Sequence, residues 1–440
     1  MFFVVGLGYG DEGKGSIIDF LTDQVGSKNI VRYNGGPQSA HHVVHNGRTH
    51  CFSQFGSSFN SDVNTYLSKH MLVDLIPLAI EEYELRQKGI TNTYERLYVD
   101  SSCILITPMQ RIVGQMRELS NNYGSCGMGI GETVRDRGIS LRISDLQNIK
   151  TLHIKLDFLW RYKLDHAEQL VEDNPNNQEI QSLYRKIIDV RLVRRLFDAY
   201  QYIGDRLHIT SDYDISSQSI FEGAQGVLLD IEYGFSPYVT KTNTTFDNAY
   251  TLVSKCNKIK RLGVLRAYST RHGAGPFVSE DLKLTHRIPD LHNKTHDWQG
   301  KFRIGWLDIL ASRYALEVVG GVDNIALTNL DRLQDIRHIR VCTSYEYVGD
   351  KNIDGFFDYE IIRGRKIIHK IRVQEKHNIR TQQELTSLLF ECKPIYTEFK
   401  NWDEYHYLSF LESEQGLATP ISIVSKGPER KNKYVLKDIF

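Results

Sequence analysis

The N-terminal segment constrains the fold most strongly, because it places a glycine-rich loop between a short apolar run and an amphipathic segment. The apolar run covers residues 2–7, with glycines at positions 6 and 8 where it ends, which is typical of a buried strand in a parallel sheet. The loop GYGDEGKG follows at residues 8–15, and apolar residues at helical spacing then predict a helix over residues 16–25. In this order of strand, loop and helix, backbone amides and a helix N-terminus can bind phosphate.

The loop matches most of a Walker A phosphate-binding sequence, with one informative departure. Gly8, Gly13 and Lys14 stand at the spacing of that motif, and Lys14 can add a point charge to a bound phosphate. The next residue is Gly15, so the hydroxyl that normally binds Mg²⁺ is missing. Asp11 lies inside the loop, where phosphate repels a carboxylate unless it binds a metal ion or transfers a proton. The alternative is a glycine-rich turn in which Asp11 only caps the helix.

Beyond this first unit, apolar strand patterns alternate with helical patterns along the chain. The alternation favours an α/β fold with a mainly parallel central sheet, helices on both faces and a P-loop-like phosphate loop. Further strands are predicted at residues 30–33, 219–222, 263–268, 324–328 and 421–425, and helices at residues 72–88, 189–203 and 308–318.

We expect a single domain over residues 1–440 with peripheral insertions. Length alone allows two or three domains or one large domain, and no internal repeat or low-complexity segment divides the chain. The insertion at about residues 60–215 is expected to be mainly helical. The region at about residues 340–410 is rich in aromatic and charged residues and is expected to form a mixed peripheral subdomain.

Composition argues against several classes of protein. Lys plus Arg and Asp plus Glu both number 54, so the net charge is zero, which argues against general nucleic-acid binding. The six cysteines include no C-x-x-C pair, as expected for reduced thiols rather than disulfides or a zinc ribbon. The apolar start of the chain is too short for a signal peptide, and no run approaches the length of a membrane helix. We therefore expect a cytoplasmic protein that binds neither nucleic acid nor membranes.

Short, specific segments follow one another along the chain in a fixed order. They are GDEGKG at residues 10–15, VRYNGG at 31–36, GMGIG at 127–131, FEGAQG at 221–226, PYVT at 237–240, AYSTR at 267–271, GWLD at 305–308, LTNLD at 327–331 and SKGPER at 425–430. Each segment alone is a weak signal. Together they resemble the adenylosuccinate synthetase family over residues 3–430, ligases that join an amino group to the 6-position of a purine nucleotide.

The resemblance implies a two-step reaction that uses Mg²⁺. A carboxylate removes the purine N1 proton while the 6-oxygen attacks the γ-phosphate of GTP, and the amino group of L-aspartate then displaces the 6-phosphoryl group. Asp11 takes the position of the catalytic base and metal ligand, and His41 takes that of the general acid. The backbone carbonyl of Ala40 is the second protein ligand expected for Mg²⁺. These residue types suit proton transfer and stabilisation of charge on oxygen.

The resemblance also implies GTP, a purine nucleoside monophosphate and L-aspartate as partners, and a homodimer. Asp331 suits guanine, because a carboxylate accepts hydrogen bonds from N1–H and the 2-amino group. Asn329 stands where the family has lysine. The residues expected to bind GTP are Gly10, Glu12, Gly13, Lys14, Gly15, Asn329, Asp331, Ser425 and Gly427. Those expected to bind the purine nucleotide are Gln38, Ser125, Cys126, Gln225, Thr240 and His272.

Departures from the family pattern cluster around the substrates. Cys126 stands for a threonine, and a thiol is a weaker partner for a phosphate oxygen than a hydroxyl. In the loop that grips the aspartate carboxylates, four arginines are reduced to Lys301 and Arg303, which are therefore the cations expected to bind aspartate. Arg271 and Lys294 are other cations able to compensate if the loop has shifted.

Two reactions stay open on the sequence, together with a function of another class. The first reaction makes adenylosuccinate from inosine monophosphate (IMP), L-aspartate and GTP. The second is that of a divergent sibling, which acts on (d)GMP to give 2-aminoadenylosuccinate, as related phage enzymes do, or which uses another amine donor. The third function is a catalytically inactive nucleotide-binding relative. Retention of Asp11, Lys14 and His41 argues against inactivity, and Asp11 favours the reaction with IMP.

Overall fold

The structure is a computed structural model that describes residues 1–440 except 122–123, 213–214, 216–217, 254–257, 291–297 and 401–402. Its strands are β1 (Phe2–Gly6), β2 (Asn29–Arg32), β3 (His41–His45), β4 (Arg48–Phe52), β5 (Asn64–Leu67), β6 (Leu72–Val73), β7 (Leu97–Asp100), β8 (Ile104–Leu105), β9 (His208–Thr210), β10 (Ile220–Glu222), β11 (Lys260–Arg266), β12 (Ser269–His272), β13 (Phe302–Gly305), β14 (Leu307–Asp308), β15 (Asn324–Thr328), β16 (His338–Tyr347), β17 (Phe357–Ile362), β18 (Arg365–Ile371), β19 (Cys392–Lys400), β20 (Ile421–Ser425) and β21 (Lys433–Val435). Its α-helices are α1 (Lys14–Gln24), α2 (Leu75–Gln87), α3 (Pro108–Asn121), α4 (Ile130–Arg135), α5 (Ile149–Asp173), α6 (Gln178–Ile187), α7 (Arg191–Gly204), α8 (Asp247–Tyr250), α9 (Leu282–Arg287), α10 (Ile309–Val318), α11 (Ile379–Leu389) and α12 (Glu404–Glu412).

A ten-stranded sheet forms the centre of the protein, in the order β21-β20-β15-β11-β1-β10-β2-β5-β7-β9. Its neighbouring strands are parallel, except that β20 and β21 pair antiparallel. The predicted α/β fold with a mainly parallel sheet is therefore confirmed. Because parallel strands end at the same edge, the loops that follow β1, β10, β11, β15 and β20 meet there, where α/β proteins bind ligands.

Strand β1 lies in the middle of this sheet and is buried on both faces. Its side chains alternate between two hydrophobic cores: Phe3 and Val5 enter the larger one, whereas Phe2 and Val4 pack with the apolar face of α1. This burial on both faces explains why the strand is a continuous apolar run rather than an alternating one.

The helices α2 to α7 lie between residues 75 and 204 and have a hydrophobic core of their own with the neighbouring strands. Within this helical region, Lys163 is completely buried, and its Nζ lies 2.7 Å from the carboxylates of both Glu132 and Asp136. The second peripheral region contains the antiparallel strands β16 to β19 with α11 and α12. No helix in the described part of the chain is long and apolar enough to cross a membrane.

A short hairpin of β3 and β4 follows β2 and was not predicted from the sequence. The two strands pair antiparallel, with His41 opposite Phe52. Only one face of this hairpin is buried, as its alternating exposure shows. The hairpin begins at His41, so it determines where the predicted general acid lies.

Candidate active site

The glycine-rich loop follows β1 at the carboxyl edge of the sheet and leads into α1. Gly10, Asp11 and Gly13 have φ angles of 88°, 60° and 86°, so the chain turns through left-handed conformations that glycine adopts most easily. Gly226 packs directly against this turn, since a Cβ atom there would lie 2.1 Å from the carbonyl oxygen of Gly8. The loop after β10 therefore supports the phosphate loop by backbone contact.

Within the phosphate loop, Glu12 and Lys14 form a buried ion pair. Oε2 of Glu12 accepts a hydrogen bond from Nζ of Lys14 at 2.6 Å, and both residues are at most 3% exposed. The other oxygen, Oε1, accepts hydrogen bonds from the backbone N–H groups of Gly8 at 3.0 Å and Gly10 at 2.8 Å. The side chain of Glu12 is thus turned into the loop, and an incoming phosphate must compete with it for the same donors.

Gly15 packs against His41 at the start of β3. A Cβ atom at Gly15 would lie 2.6 Å from Cβ of His41 and 3.1 Å from its backbone carbon atoms, which is too close for a packed interior. The hydroxyl missing after Lys14 therefore has a steric reason, because any side chain there would displace His41. On another side of the loop, Thr328 donates a hydrogen bond from Oγ1 to the carbonyl oxygen of Glu12 at 2.6 Å.

The carboxylate of Asp11 has no hydrogen-bond or ion-pair partner among the residues that the structure describes. Asp11 is half-buried, and the exposed Ala40 directly precedes His41. The described residues contain no group of three or more His, Cys, Asp or Glu side chains that could hold a metal ion. Mg²⁺, however, is usually held by one or two carboxylates together with substrate phosphates. A carboxylate without a partner among the described residues fits that requirement, because it lies in a loop that packs, through Gly15, against His41, the residue after Ala40.

His41 is held by the carboxylate of Glu222 at the end of β10. Nδ1 of His41 lies 2.5 Å from Oε1 of Glu222, and Glu222 is completely buried. Ser57 donates to the same carboxylate, from its backbone N–H to Oε2 at 3.0 Å and from Oγ to Oε1 at 2.5 Å. Because a histidine is oriented by the hydrogen bond of its other ring nitrogen, this arrangement leaves Nε2 as the atom available to a substrate.

The charges around this pair favour an ionised Glu222. Burial by itself raises the pKa of Glu222, but Arg32, His41 and Ser57 outweigh it and lower the pKa to about 2. Burial lowers the pKa of His41 below its usual value, and the contact with Glu222 offsets only part of this effect. Arg32 faces Glu222 across neighbouring strands and is fully buried, with Nε and Nη2 lacking a hydrogen-bond partner in the described part of the chain. Arg32 therefore stabilises the carboxylate by its charge.

Two amide side chains lie beside consecutive glycines after β2 and have buried atoms without partners. A Cβ atom at Gly35 would lie 3.2 Å from Oε1 of Gln225, and one at Gly36 would lie 2.9 Å from Oε1 of Gln38. Both amide atoms of Gln38 and Oε1 of Gln225 are buried without a hydrogen bond to any described residue. Buried polar atoms normally have partners, so these three indicate a polar ligand at this place.

The other residues predicted to bind the purine nucleotide differ in whether their polar atoms already have partners within the described part of the protein. Nε2 of His272 is buried without a partner among the described residues, and its Nδ1 lies 3.2 Å from Oε1 of Gln299. Oγ1 of Thr240 lies 3.4 Å from Oγ1 of Thr242. The exposed Ser125 accepts a hydrogen bond at Oγ from the N–H of Gly127 at 3.3 Å, so its hydroxyl shapes its own turn.

Cys126 packs against an apolar cluster rather than presenting an anion. It lies beside Met128 on the cluster of Leu72, Ile106 and Ile130. Burial raises the pKa of the Cys126 thiol, so the sulfur stays protonated. A neutral thiol is only a weak hydrogen-bond donor, as expected from the sequence.

The residues predicted to read guanine lie on the loops after the neighbouring strands β15 and β20. Asn329 has a φ angle of 58° and opens the turn that carries Asp331, whose pKa is raised by burial. Ser425 donates from Oγ to the carbonyl oxygen of Gly427 at 3.1 Å. Lys433, which the sequence did not single out, donates from Nζ to the carbonyl oxygens of residues 427–429 at 2.9–3.0 Å. The structure thus brings these residues together at one end of the sheet.

The predicted aspartate-binding cations are in unequal environments. Nη1 of Arg303 donates to the carbonyl oxygens of Gly273 at 3.1 Å and Gly275 at 2.9 Å, and its Nη2 lies 2.5 Å from Oε2 of Glu280. The guanidinium of Arg303 is therefore engaged within the protein. Lys301 is exposed, and its ammonium has no partner among the described residues.

Arg271 and Lys294 are the two cations that the sequence suggests as replacements for the missing arginines of the aspartate-binding loop. Arg271 is 1% exposed and donates to the carbonyl oxygens of Tyr238, Ala274 and Pro276. Its guanidinium is engaged within the protein, so the expectation that it compensates is not supported. Lys294 lies outside the described residues.

Comparisons with known proteins place these observations in a family context. The sequence model of the adenylosuccinate synthetase family matches residues 3–434. An adenylosuccinate synthetase of Thermoplasma volcanium is 31% identical over 97% of this chain and 95% of its own length. An adenylosuccinate synthetase of Borrelia turicatae is 30% identical over 98% of this chain and 97% of its own length.

Two solved structures share the fold. A fully ligated adenylosuccinate synthetase from Plasmodium falciparum has a TM-score of 0.75 at 22% identity and covers 99% of both chains. A succinoaminodeoxyadenylate synthetase of cyanophage S-2L, bound to dGMP and to dATP as an energy donor, has a TM-score of 0.52 at 15% identity. The cyanophage protein covers 99% of this chain and 95% of its own.

Proposed function

The chain belongs to the adenylosuccinate synthetase family of ligases, and we propose that it makes adenylosuccinate from IMP, L-aspartate and GTP. In this reaction GTP phosphorylates the 6-oxygen of IMP, and L-aspartate then displaces the phosphate to form a C–N bond. The observation that carries the proposal is the place of the free Asp11 carboxylate. It lies in a phosphate loop that packs on the buried His41–Glu222 pair.

The first chemical step requires a base at N1 of the purine and a hydrogen-bond donor beside the 6-oxygen and the γ-phosphate. Asp11, which has no partner among the described residues, is free to take the N1 proton of IMP. As negative charge develops on the 6-oxygen and the γ-phosphate, the ionised Glu222 stabilises a protonated imidazole, so that Nε2 of His41 can donate to that charge. When Mg²⁺ is bound, it neutralises charge on the phosphates, and Asp11 with the carbonyl of Ala40 would hold it.

The phosphate loop changes partners when GTP binds in this proposal. Lys14 exchanges the carboxylate of Glu12 for a phosphate oxygen, and the amides of Gly10, Gly13 and Gly15 line the same site. At the far end of GTP, Asp331 accepts from guanine, while Ser425 and Gly427 pack beside the base and Asn329 shapes the turn. In this proposal, the carboxylate of Glu12 holds the ammonium of Lys14 in place until GTP binds.

In this proposal the purine monophosphate binds beside Gln38 and Gln225, whose buried amide atoms lack partners among the described residues. Gln38 and Gln225 supply hydrogen bonds to its base and phosphate, which would satisfy the three free amide atoms. His272, Thr240, Ser125 and Cys126 complete the site, with Cys126 as a mainly apolar contact.

One observation favours keeping a second candidate. The guanidinium of Arg303 is engaged by Gly273, Gly275 and Glu280, which leaves Lys301 as the free cation of the pair predicted to grip L-aspartate. A site with fewer free cations suits a different amine donor, and the second candidate is a sibling that uses such a donor or acts on (d)GMP. A homodimer and a cytoplasmic location remain predictions from the sequence.

The test measures phosphate release and identifies the product by mass. The purified protein is given GTP and Mg²⁺ with IMP, GMP or dGMP, each with and without L-aspartate, and ATP replaces GTP in a parallel series. We expect adenylosuccinate only when IMP, L-aspartate and GTP are all present. Product formed with dGMP but not with IMP would establish the second candidate. Phosphate release at the same rate with and without L-aspartate would exclude L-aspartate as the amine donor. Turnover in none of these mixtures would favour an inactive relative.

A further inference from the structure

The order of strands places one more residue on the path of the nucleoside triphosphate. The phosphate loop follows β1, and the loops predicted to read guanine follow β15 and β20. Strand β11 lies between β1 and β15. A nucleotide that reaches from the phosphate loop to the guanine loops must therefore pass the carboxyl end of β11, which is Arg266.

Arg266 is flanked by both of these loops. In the sheet it is paired with Thr328, whose hydroxyl holds the carbonyl oxygen of Glu12 in the phosphate loop. Nε of Arg266 donates to Oδ1 of Asn329 at 3.2 Å, at the start of the turn that carries Asp331. The guanidinium is thus fixed between the phosphate loop and the predicted guanine site.

One nitrogen of the Arg266 guanidinium has no hydrogen-bond partner among the described residues. The residue is only 8% exposed, and Nη2 lies 3.2 Å from Oδ2 of Asp290. Nη1 is buried and has no hydrogen-bond partner among the described residues. A buried charged donor without an acceptor is costly, so its presence indicates an acceptor that arrives with a ligand.

The surroundings keep Arg266 charged and in place. Its guanidinium carbon lies 5.1 Å from the centre of the Tyr268 ring and 5.9 Å from that of Phe302. Burial by itself lowers the pKa of Arg266, but Tyr268, Asp290 and Asp11 raise it above the ordinary value. A single acidic partner at hydrogen-bond distance leaves the Nη1 edge free for an anionic oxygen.

We propose that Arg266 binds the triphosphate of GTP, with Nη1 donating to a phosphate oxygen between the phosphate loop and the guanine loops. This role rests on the proposed use of GTP. The adjacent Asn329 is neutral and serves as an acceptor for Arg266, so the positive charge of this stretch of the site comes from β11. Arg266 is then a nucleotide-binding residue whose contact differs from that of Lys14 in the phosphate loop and from that of Asp331 at guanine.

The test measures binding of guanine nucleotides by calorimetry, which does not depend on turnover. Wild type, Arg266→Met and Arg266→Lys are titrated with GMP, GDP and the non-hydrolysable analogue guanosine 5′-(β,γ-imido)triphosphate in the presence of Mg²⁺. A hydrogen bond to a charged group corresponds to about 10- to 100-fold in affinity. We expect Arg266→Met to lose that factor in affinity for the imidotriphosphate, to lose less for GDP, and to bind GMP as wild type does. Arg266→Lys should retain part of the affinity.

Arg261→Met is the matched control, because Arg261 lies at the other end of β11, where it pairs with Asp323 at 3.0 Å. It should bind all nucleotides as wild type does. If Arg266→Met does not fold, the Arg266→Met/Asn329→Lys variant, which moves the positive charge to the neighbouring strand, takes its place. We expect this double variant to bind the imidotriphosphate about 10-fold more weakly than the single variant Asn329→Lys, and equal affinities of these two variants would count against the proposal.

Three results would overturn the inference. The first is wild-type affinity of both Arg266→Met and Arg266→Lys for the imidotriphosphate, and the second is an equal loss of affinity for GMP and the imidotriphosphate. The third, from steady-state kinetics of the same variants, is a rise confined to the Michaelis constant of the amine donor. The last result would assign Arg266 to the donor carboxylate. Failure of the wild-type protein to bind any guanine nucleotide would overturn the proposed function and this inference with it, whereas the other results affect the inference alone.

Discussion

Nδ1 of His41 and Oε1 of Glu222 lie 2.5 Å apart in a part of the protein where the Glu222 side chain is completely buried. The two residues are far apart in the sequence and meet because the β3 hairpin follows β2, the strand next to β10 in the sheet. A buried carboxylate that fixes the imidazole gives the proposed general acid a defined orientation.

We predict that Glu222→Gln lowers the turnover number through His41. The amide cannot stabilise a protonated imidazole as the carboxylate does, so the rate should fall, by less than the roughly 10²–10⁴-fold expected on loss of the general acid in His41→Asn. Steady-state kinetics of the two single variants and the double variant check this. If His41 and Glu222 act as a unit, the double variant is no slower than His41→Asn. Multiplied effects in the double variant would show that they act separately.

We predict that Asp11→Ala abolishes turnover while the protein remains folded. The carboxylate has no hydrogen-bond or ion-pair partner among the described residues, so its loss should cost little stability, but the N1 proton would lose its base. The rate of phosphate release with IMP, L-aspartate and GTP should fall by about 10²–10⁴-fold. Asp11→Asn, which keeps the shape of the side chain, is the control and should be equally slow. Near-normal rates in either variant would rule out Asp11 as the base.

We predict that Gly15→Ser impairs the enzyme although it restores the residue type of an ordinary Walker A loop. Its Cβ atom would lie 2.6 Å from Cβ of His41, so His41 must move, and the rate should fall by about 10²-fold, the lower end of the acid–base contributions. Gly138→Ser is the control, since a Cβ atom there meets nothing within 4 Å. Unchanged kinetics of Gly15→Ser would mean that His41 tolerates displacement.

We predict that Lys301→Met and Arg303→Leu fail in different ways. The ammonium of Lys301 has no partner among the described residues, so its loss should raise the Michaelis constant for L-aspartate with little change in melting temperature. Arg303 holds the carbonyls of Gly273 and Gly275 and pairs with Glu280, so Arg303→Leu should also lower the melting temperature. Thermal unfolding combined with L-aspartate kinetics checks both variants. Equal melting temperatures would show that the Arg303 contacts contribute nothing to stability.

We predict that acid destabilises the protein partly through Glu222. Its pKa falls from an ordinary 4.5 to about 2 on folding, so the unfolded state binds more protons at intermediate pH. The stabilisation is complete above about pH 4.5 and is lost as the pH falls towards 2. Urea unfolding at pH 7, 5, 4 and 3 should therefore show a shallower loss of the unfolding free energy in Glu222→Gln than in wild type. The exposed Glu179→Gln is the control, and identical curves for wild type and Glu222→Gln would contradict the prediction.

Much of the fold follows from local pattern. The strands predicted at residues 324–328 and 421–425 coincide with β15 and β20, because buried parallel strands are short apolar runs bounded by turn residues. The helix predicted over residues 72–88 instead begins with β6 and becomes helical at Leu75. The β3–β4 hairpin was missed, since its polar and apolar residues, including three histidines in β3, carry little strand signal.

The site was predictable in residue type but not in side-chain partners. The sequence assigns no role to Glu222 within FEGAQG, although a lone carboxylate at the end of an apolar strand is a signal for one. Glu12 was expected to meet GTP, yet its carboxylate binds the loop that carries it. Arg303 was expected to meet a substrate, yet its guanidinium holds a turn. These outcomes depend on contacts between distant segments, which spacing along one chain does not reveal.

The buried pair of Glu12 and Lys14 has a consequence for selectivity against small anions. A side chain attached to the loop competes at a high effective concentration, because it never diffuses away. Inorganic phosphate and sulfate have no base or ribose that could bind elsewhere. They must therefore displace the Glu12 carboxylate by their charge alone. A nucleotide can draw on contacts along its whole length to do so. We therefore expect the loop to bind inorganic phosphate and sulfate much more weakly than it binds a nucleotide, because Glu12 already occupies its donors.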